Sequence, residues 1–259
     1  MIMESGDSFA NRPLPFCWSA ATDVGKVRTE NEDKFLVNQE LGLFIVSDGM
    51  GGHHGGELAS KIVVDDLPYM IENGLHRLRS DSVRSVRRLL KRIIAELSRQ
   101  MALEGESESG HKGMGATLVL ALFCKNRVYA ANLGDSRMYV LRRGRLTQKT
   151  RDHSVVGSLV RNGDITAEEA KDHEAQGQIT RYVGMEEPAR AYVRTFATQA
   201  GDRYLLCSDG LTDMVRDPEI KHILQEYSDS QSTCEQLAAA ANAAGGHDNI
   251  TVAIIDWKE

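Results

Sequence analysis

The sequence predicts an α+β domain rich in antiparallel strands, on three observations. Nine short apolar or alternating runs recur along the chain, each bounded by turn residues. Two other segments repeat apolar residues at helical spacing or carry helix caps. No internal repeat and no long linker divides the 259 residues, whose 41% hydrophobic and 26% charged content is that of an ordinary globular chain.

In chain order, strands are expected at residues 16–21, 34–38 and 43–47. A helix should then run from about 56 to 67 and stop at Pro68, whose ring clashes with the preceding turn. Val83, Val86, Leu89, Leu90, Ile93, Ile94, Leu97 and Met101 make one apolar stripe of a second helix. The acidic stretch "EGESESGHKG" reads as an exposed loop. Strands follow at residues 117–123, 127–132, 137–142, 192–197 and 204–208. Residues 233–244 form a helix with Ser232 as N-cap, Glu235 as its capping-box partner and Gly245 as the stop. A last strand is expected at 251–255.

Composition excludes several function classes. No eighteen apolar residues stand together, and the first residues lack a basic patch followed by an apolar run, so a cytoplasmic protein without membrane contact is expected. Cys17, Cys124, Cys207 and Cys234 share no spacing, which argues against a zinc ribbon and a disulfide framework. A net charge of −6 argues against nucleic acid as a partner. The sign is uneven, however: eight Lys/Arg face two acids between His76 and Arg99. That run reads first as a solvated helix face and second as a docking surface for acidic phosphoproteins.

The chemistry concentrates where strands end. Asp48 follows "LFIVS" and precedes Gly49; Asp209 follows "YLLCS" and precedes Gly210; Asp135 follows "VYAANLG"; Asp248 precedes the last strand. One such aspartate commonly just bonds the backbone of its own turn. Four that converge would repel one another unless cations neutralised them, and all-oxygen ligation selects hard ions such as Mg²⁺ and Mn²⁺. A glycine after Asp48 would let a backbone carbonyl approach such an ion. Upstream, "TDVGKVRTENED" places Arg28 just before Glu32 and Asp33. Next to a metal cluster, an arginine fork suits two phosphate oxygens.

Rival readings of "FIVSDGMGGHHGGE" fail their own rules. It is not a G-x-x-x-x-G-K-[ST] loop and lacks the third glycine of G-x-G-x-x-G. Adjacent His53 and His54 tend to point apart in an extended chain, and "HEAQG" is not H-E-x-x-H.

Eight stretches, in order, carry a specific likeness: "TDVGKVRTENED", "VSDGMGGHHGGE", "GMGATLV", "ANLGDSRMYVLRRG", "TRDHS", "ITRYVG", "LLCSDGLTDMV" and "GGHDNITVAII". With them the chain resembles the metal-dependent (PPM, type 2C) serine/threonine protein phosphatases, especially the bacterial branch, over about residues 16–255. The resemblance implies a four-layer α-β-β-α sandwich, two antiparallel sheets flanked by helices, with two Mn²⁺ or Mg²⁺ ions at one end of the sheets. It implies an N-terminal extension over 1–15 and a single catalytic domain over 16–257, with a flap at 147–188 shaping substrate choice.

By the same resemblance Asp48 bridges both ions, the Gly49 carbonyl binds one, and Asp209 with Asp248 holds the other. Asp135 matches the ligand of a weaker third ion, and Glu32 binds directly or through water, with Asp33 and Asn249 supporting the ligands. Arg28 matches the phosphate-binding arginine. A hydroxide between the ions attacks phosphorus in line. Met50 stands where animal members carry a histidine, so the general acid stays open among His53, His153 and a metal-bound water. Ala116 in "GMGAT" replaces the family's threonine, a packing change. Substrates would be proteins phosphorylated on serine or threonine, with a cognate Ser/Thr kinase as counterpart and a monomer as the working form. A catalytically quiet phosphoprotein- or kinase-binding module and a small-molecule phosphatase are the alternatives.

Overall fold

The computed structural model describes residues 15–51, 55–107, 113–186 and 188–258. In chain order the strands are β1 (Phe16–Asp23), β2 (Asp33–Asn38), β3 (Leu43–Met50), β4 (Gly115–Ala116), β5 (Leu118–Cys124), β6 (Arg127–Leu133), β7 (Arg137–Arg142), β8 (Arg145–Gln148), β9 (Tyr192–Ala197), β10 (Arg203–Cys207) and β11 (Ile250–Trp257). The helices are α1 (Gly55–His76), α2 (Val83–Ser107), α3 (Val155–Asn162), α4 (Asp209–Thr212), α5 (Asp217–Glu226) and α6 (Ser230–Ala243), with a 3₁₀ turn at Glu169–Asp172.

One sheet has the order β1-β11-β10-β7-β8 and the other β2-β3-β5-β6-β9, with β4 pairing β3; every pairing is antiparallel. Alternation along the strands builds three buried layers. Phe44, Val46, Val119, Phe123, Tyr204, Leu206, Ile255 and Trp257 fill the space between the sheets. Phe123 stacks on Trp257 with centroids 5.5 Å apart and meets Tyr204 edge-on at 5.1 Å. The opposite residues, Leu43, Ile45, Leu118 and Leu120, pack under α1 and α2. Leu205, Cys207, Val252 and Ile254 pack under α5 and α6. The result is a four-layer α-β-β-α sandwich, and burial of both faces explains why its central strands are continuously apolar.

Several local expectations need correction. Helix α1 passes through Pro68 and ends at His76. An interior proline costs about 3 kcal/mol, but Leu67, Ile71 and Leu75 are all buried, and fully burying each contributes roughly 1.5–3 kcal/mol. Tertiary burial therefore outweighs the break. The first part of "EGESESGHKG" is the end of α2, not loop; residues 108–112 lie outside the described residues. Ser232 does not cap α6, because Asp229 does, its side chain accepting a 2.7 Å hydrogen bond from the Ser232 amide. Strand β8 escaped prediction because "RLTQ" has one apolar residue. Arg143 and Gly144, both at positive φ, make the tight turn that pairs it with β7. Among the described residues, all four cysteines are free and no helix is long and apolar enough to cross a membrane.

The segment between β8 and β9 carries α3 and the 3₁₀ turn. It is tied to the rest by the bridge Ala116 to Val183 and closed on itself by that between Ser154 and Ile179.

Candidate active site

Antiparallel pairing brings the expected aspartates to one end of the sandwich. Asp48 lies near the end of β3, directly opposite Asp33, the first residue of β2. Strand β3 continues past Asp48 because Gly49 and Met50 pair with Ala116 and Gly115 of β4. Asp135 sits in the β6–β7 turn, Asp209 opens α4 just after β10, and Asp248 precedes β11, which neighbours β10.

Two glycines let these loops close on one another. A Cβ on Gly49 would overlap the carbonyl oxygen of Gly56 at the start of α1, and one on Gly210 would overlap the carbonyl of Asn249. Asn249 is the clamp for the opposite loop. Its Oδ1 accepts from the Glu32 amide at 2.8 Å, while its Nδ2 donates to the carbonyls of Val24 and Glu30, each at 2.9 Å. Thr117 does the same for β3, its amide donating to the Asp48 carbonyl at 2.7 Å and its hydroxyl accepting from the Asp48 amide at 3.0 Å.

The carboxylates are electrostatically frustrated. Burial, then Asp209, Asp33, Asp135 and Asp248, push Asp48 well above the carboxylate range. Burial and its acidic neighbours Asp213 and Asp248 raise Asp209 to about 6, although a hydrogen bond with Asp48 works the other way. Asp33 is raised to about 7 by burial, despite accepting from the Ser208 hydroxyl at 2.7 Å. Asp135 is raised by burial and by Asp209, Asp152 and Asp213. At an effective dielectric of 20, two carboxylates 4 Å apart repel by about 4 kcal/mol. Buried oxygens Oδ1 of Asp33, Asp135 and Asp209 have no hydrogen-bond partner. Among the described residues no three His, Cys, Asp or Glu side chains stand, as they are, in an arrangement that could hold a metal ion. Oxygen donors that are buried, mutually repelling and unpaired are the chemistry that a hard divalent cation satisfies.

Two cations border the cluster. Half-exposed Arg28 donates from Nη2 to Asp248 Oδ2 at 2.8 Å. Partial burial opposes its charge, yet Asp248, Glu32 and Asp48 hold its pKa up. Arg137, in "GDSR", grips Asp152 Oδ2 through Nε at 2.9 Å and Nη2 at 2.6 Å. Glu32 stands at the N-terminus of α1, where its carboxylate accepts from the Glu57 amide; burial nonetheless raises its pKa.

Sequence reasoning missed Asp213. Its acid is raised by burial, against the pull of Arg137 and a hydrogen bond from Gln176, and it contributes to the shift of Asp209. The signal was available: "SDGLTD" spaces Asp213 four residues after Asp209, one turn on along the same face. His153 is buried, and its Nδ1 accepts from the Gly134 amide at 3.3 Å. Burial first, then Arg181 and Arg161, lower its pKa to about 4. It is therefore neutral at pH 7 and has no imidazolium proton to give, though it braces the turn carrying Asp135. His53 and His54 lie outside the described residues.

The chain's similarities to known proteins agree with this geometry. The sequence profile of the family described as protein phosphatase 2C matches residues 26–246. A serine/threonine phosphatase stp of Listeria welshimeri is 38% identical over 240 residues, spanning 91% of this chain and 93% of that protein. The crystal structure of the catalytic domain of PstP in complex with two manganese ions superposes with a TM-score of 0.81 at 35% identity, covering 94% of this chain and 99% of that one. Serine/threonine phosphatase Stp1 from Staphylococcus aureus does so at 0.87 and 31% identity over the full length of both chains. With the profile matched across most of its length, the chain belongs to the protein phosphatase 2C family.

Proposed function

We propose that this chain removes phosphate from phosphoserine and phosphothreonine in proteins, using two Mn²⁺ or Mg²⁺ ions held by its carboxylate cluster. The observation that carries the reading is the set of buried, unpaired and mutually repelling carboxylate oxygens at one end of the sandwich. Asp48, Asp209, Asp248 and the Gly49 carbonyl are the residues to hold the two ions. Asp135 would take a weaker third, and Glu32 would bind directly or through water. Asp33 and Asn249 hold the surrounding loops in place through Ser208 and Glu32.

Bound divalent ions supply positive charge for the phosphoryl oxygens and acidify a water to a usable nucleophile near neutral pH. The protein's own part is positional. The backbone around Asp48 and Asp248 is fixed by Thr117 and Asn249. Arg28 is half-exposed and pivots on Asp248, which leaves its remaining guanidinium N–H groups for phosphate oxygens at the mouth of the site. Neutral His153 keeps the Asp135 turn in register.

Residues 16–257 act as one catalytic domain after a 1–15 extension, and 147–188 serves as a flap over the site. The substrates are phosphoproteins, the counterpart is a Ser/Thr kinase, and the working form is a cytoplasmic monomer. The test is hydrolysis of p-nitrophenyl phosphate and a phosphothreonine peptide with Mn²⁺. Turnover that stops in EDTA and returns with added Mn²⁺ is the expected result; equal turnover in EDTA rules the mechanism out. A peptide rate far below that on sugar phosphates would favour the small-molecule phosphatase instead.

A further inference from the structure

Among the described residues, three exposed guanidinium groups in the segment that follows β8 have no carboxylate partner: Arg151, Arg161 and Arg181. Arg161 donates to the Asp152 carbonyl at 2.6 Å and to the Ser158 hydroxyl at 2.8 Å. Arg181 reaches only the Arg190 carbonyl, at 3.4 Å. The Arg151 guanidinium lies over the Tyr192 ring, 4.6 Å from its centroid. Neighbouring acids are engaged elsewhere, Asp152 with Arg137 at 2.6 Å and Glu168 with Arg216 at 2.9 Å.

Backbone pairing gathers the three. The Thr180 amide donates to the His153 carbonyl at 2.7 Å, which lays Arg181 beside the stretch carrying Arg151, and the Arg161 bond to Asp152 draws in the third. All three act electrostatically on His153, whose pKa they help to depress.

The same stretch is strapped to the catalytic end. Asn132 Nδ2 donates to the Arg151 carbonyl at 2.7 Å, and the His153 amide donates at 2.9 Å to the carbonyl of Gly134, the residue before Asp135. A cleft of about 1010 Å³ opens here, with Arg151 and Arg161 in its wall, Val156 and Val160 as apolar surface, and Asp213 and Asp217 on its far side; Arg181 lies outside this lining. Helix α3 has no buried residue, so its apolar side is available to the cleft. A polypeptide whose phosphoresidue sits at the cluster would carry its neighbouring residues past these cations. A nucleic acid would not suit, since the adjoining carboxylates repel an extended polyanion.

We propose that Arg151, Arg161 and Arg181 form a subsite for an anionic flank of the phosphoprotein substrate, either carboxylate side chains or a second phosphoryl group near the one removed. The proposal rests on the phosphatase reading and adds a preference to it.

Three phosphothreonine peptides test it, identical except for flanks of glutamate, of phosphoserine or of serine. Exposed ion pairs contribute a factor of roughly 1.5 to 5 each, so kcat/KM on an anionic flank is expected to exceed that on the neutral flank about tenfold. Which anionic peptide leads tells carboxylate from phosphate recognition. In the triple variant Arg151→Gln, Arg161→Gln, Arg181→Gln the ratio should collapse towards one, whereas Arg88→Gln on the distant basic face of α2 should leave it. A wild-type ratio near one overturns the subsite, as does a ratio unchanged in the triple variant or one lost in the Arg88 variant. A merely structural effect would lower all three peptides in proportion. Fluorescence anisotropy of the same peptides on the metal-free chain reads the subsite without turnover, so a chain that binds the anionic peptides preferentially but hydrolyses none overturns the proposed function and not the subsite.

Discussion

Asp48 and Asp209 show what the fold asks of single residues. Each is an acid placed where its charged form is unfavourable, by burial and by the acids around it. The sign of the pH dependence follows. Asp33 at about 7 and Asp209 at about 6 lie above their unfolded values near 3.9, so the folded metal-free chain binds more protons than the unfolded one in that window. Their stabilising contribution is complete below about pH 4 and is lost as pH rises through 6 and 7. His153, lowered to about 4, acts the opposite way between 4 and 6.5 but is one group against several. Thermal denaturation in EDTA should give a higher Tm at pH 5.5 than at pH 8; a higher Tm at pH 8 would refute the frustrated cluster. Asp209→Asn should raise Tm in EDTA at pH 8 while lowering Mn²⁺-dependent turnover at least a hundredfold. Asp48→Ala should abolish turnover, as measured on p-nitrophenyl phosphate. These positions were readable in the sequence because four aspartates sit at strand ends beside glycine or within tight turns. Asp213 and Arg137 were not singled out, since their place in the cluster depends on how α4 and β7 are oriented.

At the scale of elements, α1 and α6 show local signals being overruled or displaced. Pro68 ends a helix in isolation, yet α1 continues because Leu67, Ile71 and Leu75 are buried beneath α2. Pro68→Ala should therefore stabilise the protein by about 1–3 kcal/mol, restoring an amide donor in mid-helix, read as a higher urea midpoint. The N-cap of α6 is decided by which side chain reaches the free amides. Asp229 does so, and Asp229→Ala should lower the urea midpoint while Ser232→Ala leaves it nearly in place. The reverse order would return the cap to Ser232. The basic stripe of α2 proved to be its outer face: Val86, Leu90, Ile94 and Leu97 are fully buried, while Arg84, Arg88, Lys91 and Arg92 are exposed. Periodicity alone made that division legible. Helices α3 and α5 were not legible, being short, and α3 buries no residue at all.

For the whole molecule, the balance lies between three buried layers that hold the sandwich together and one end that is charged against itself. Added Mn²⁺ should raise Tm by several degrees at pH 8 and flatten its pH dependence, because the ions supply the missing positive charge; a metal-insensitive Tm would mean that the cluster is not the binding site. The sequence by itself determined the α+β class, most strand positions and the principal carboxylates, since alternation, turn residues and strand-end motifs are local properties. It determined the family too, through eight ordered motifs. Only the tertiary structure decided that Asp33 faces Asp48 across β2 and β3, that Asn249 clamps the loop bearing Arg28 and Glu32, and that Arg151, Arg161 and Arg181 gather around His153. Each depends on residues far apart in sequence meeting through strand register and loop packing. Local periodicity does not encode those distances.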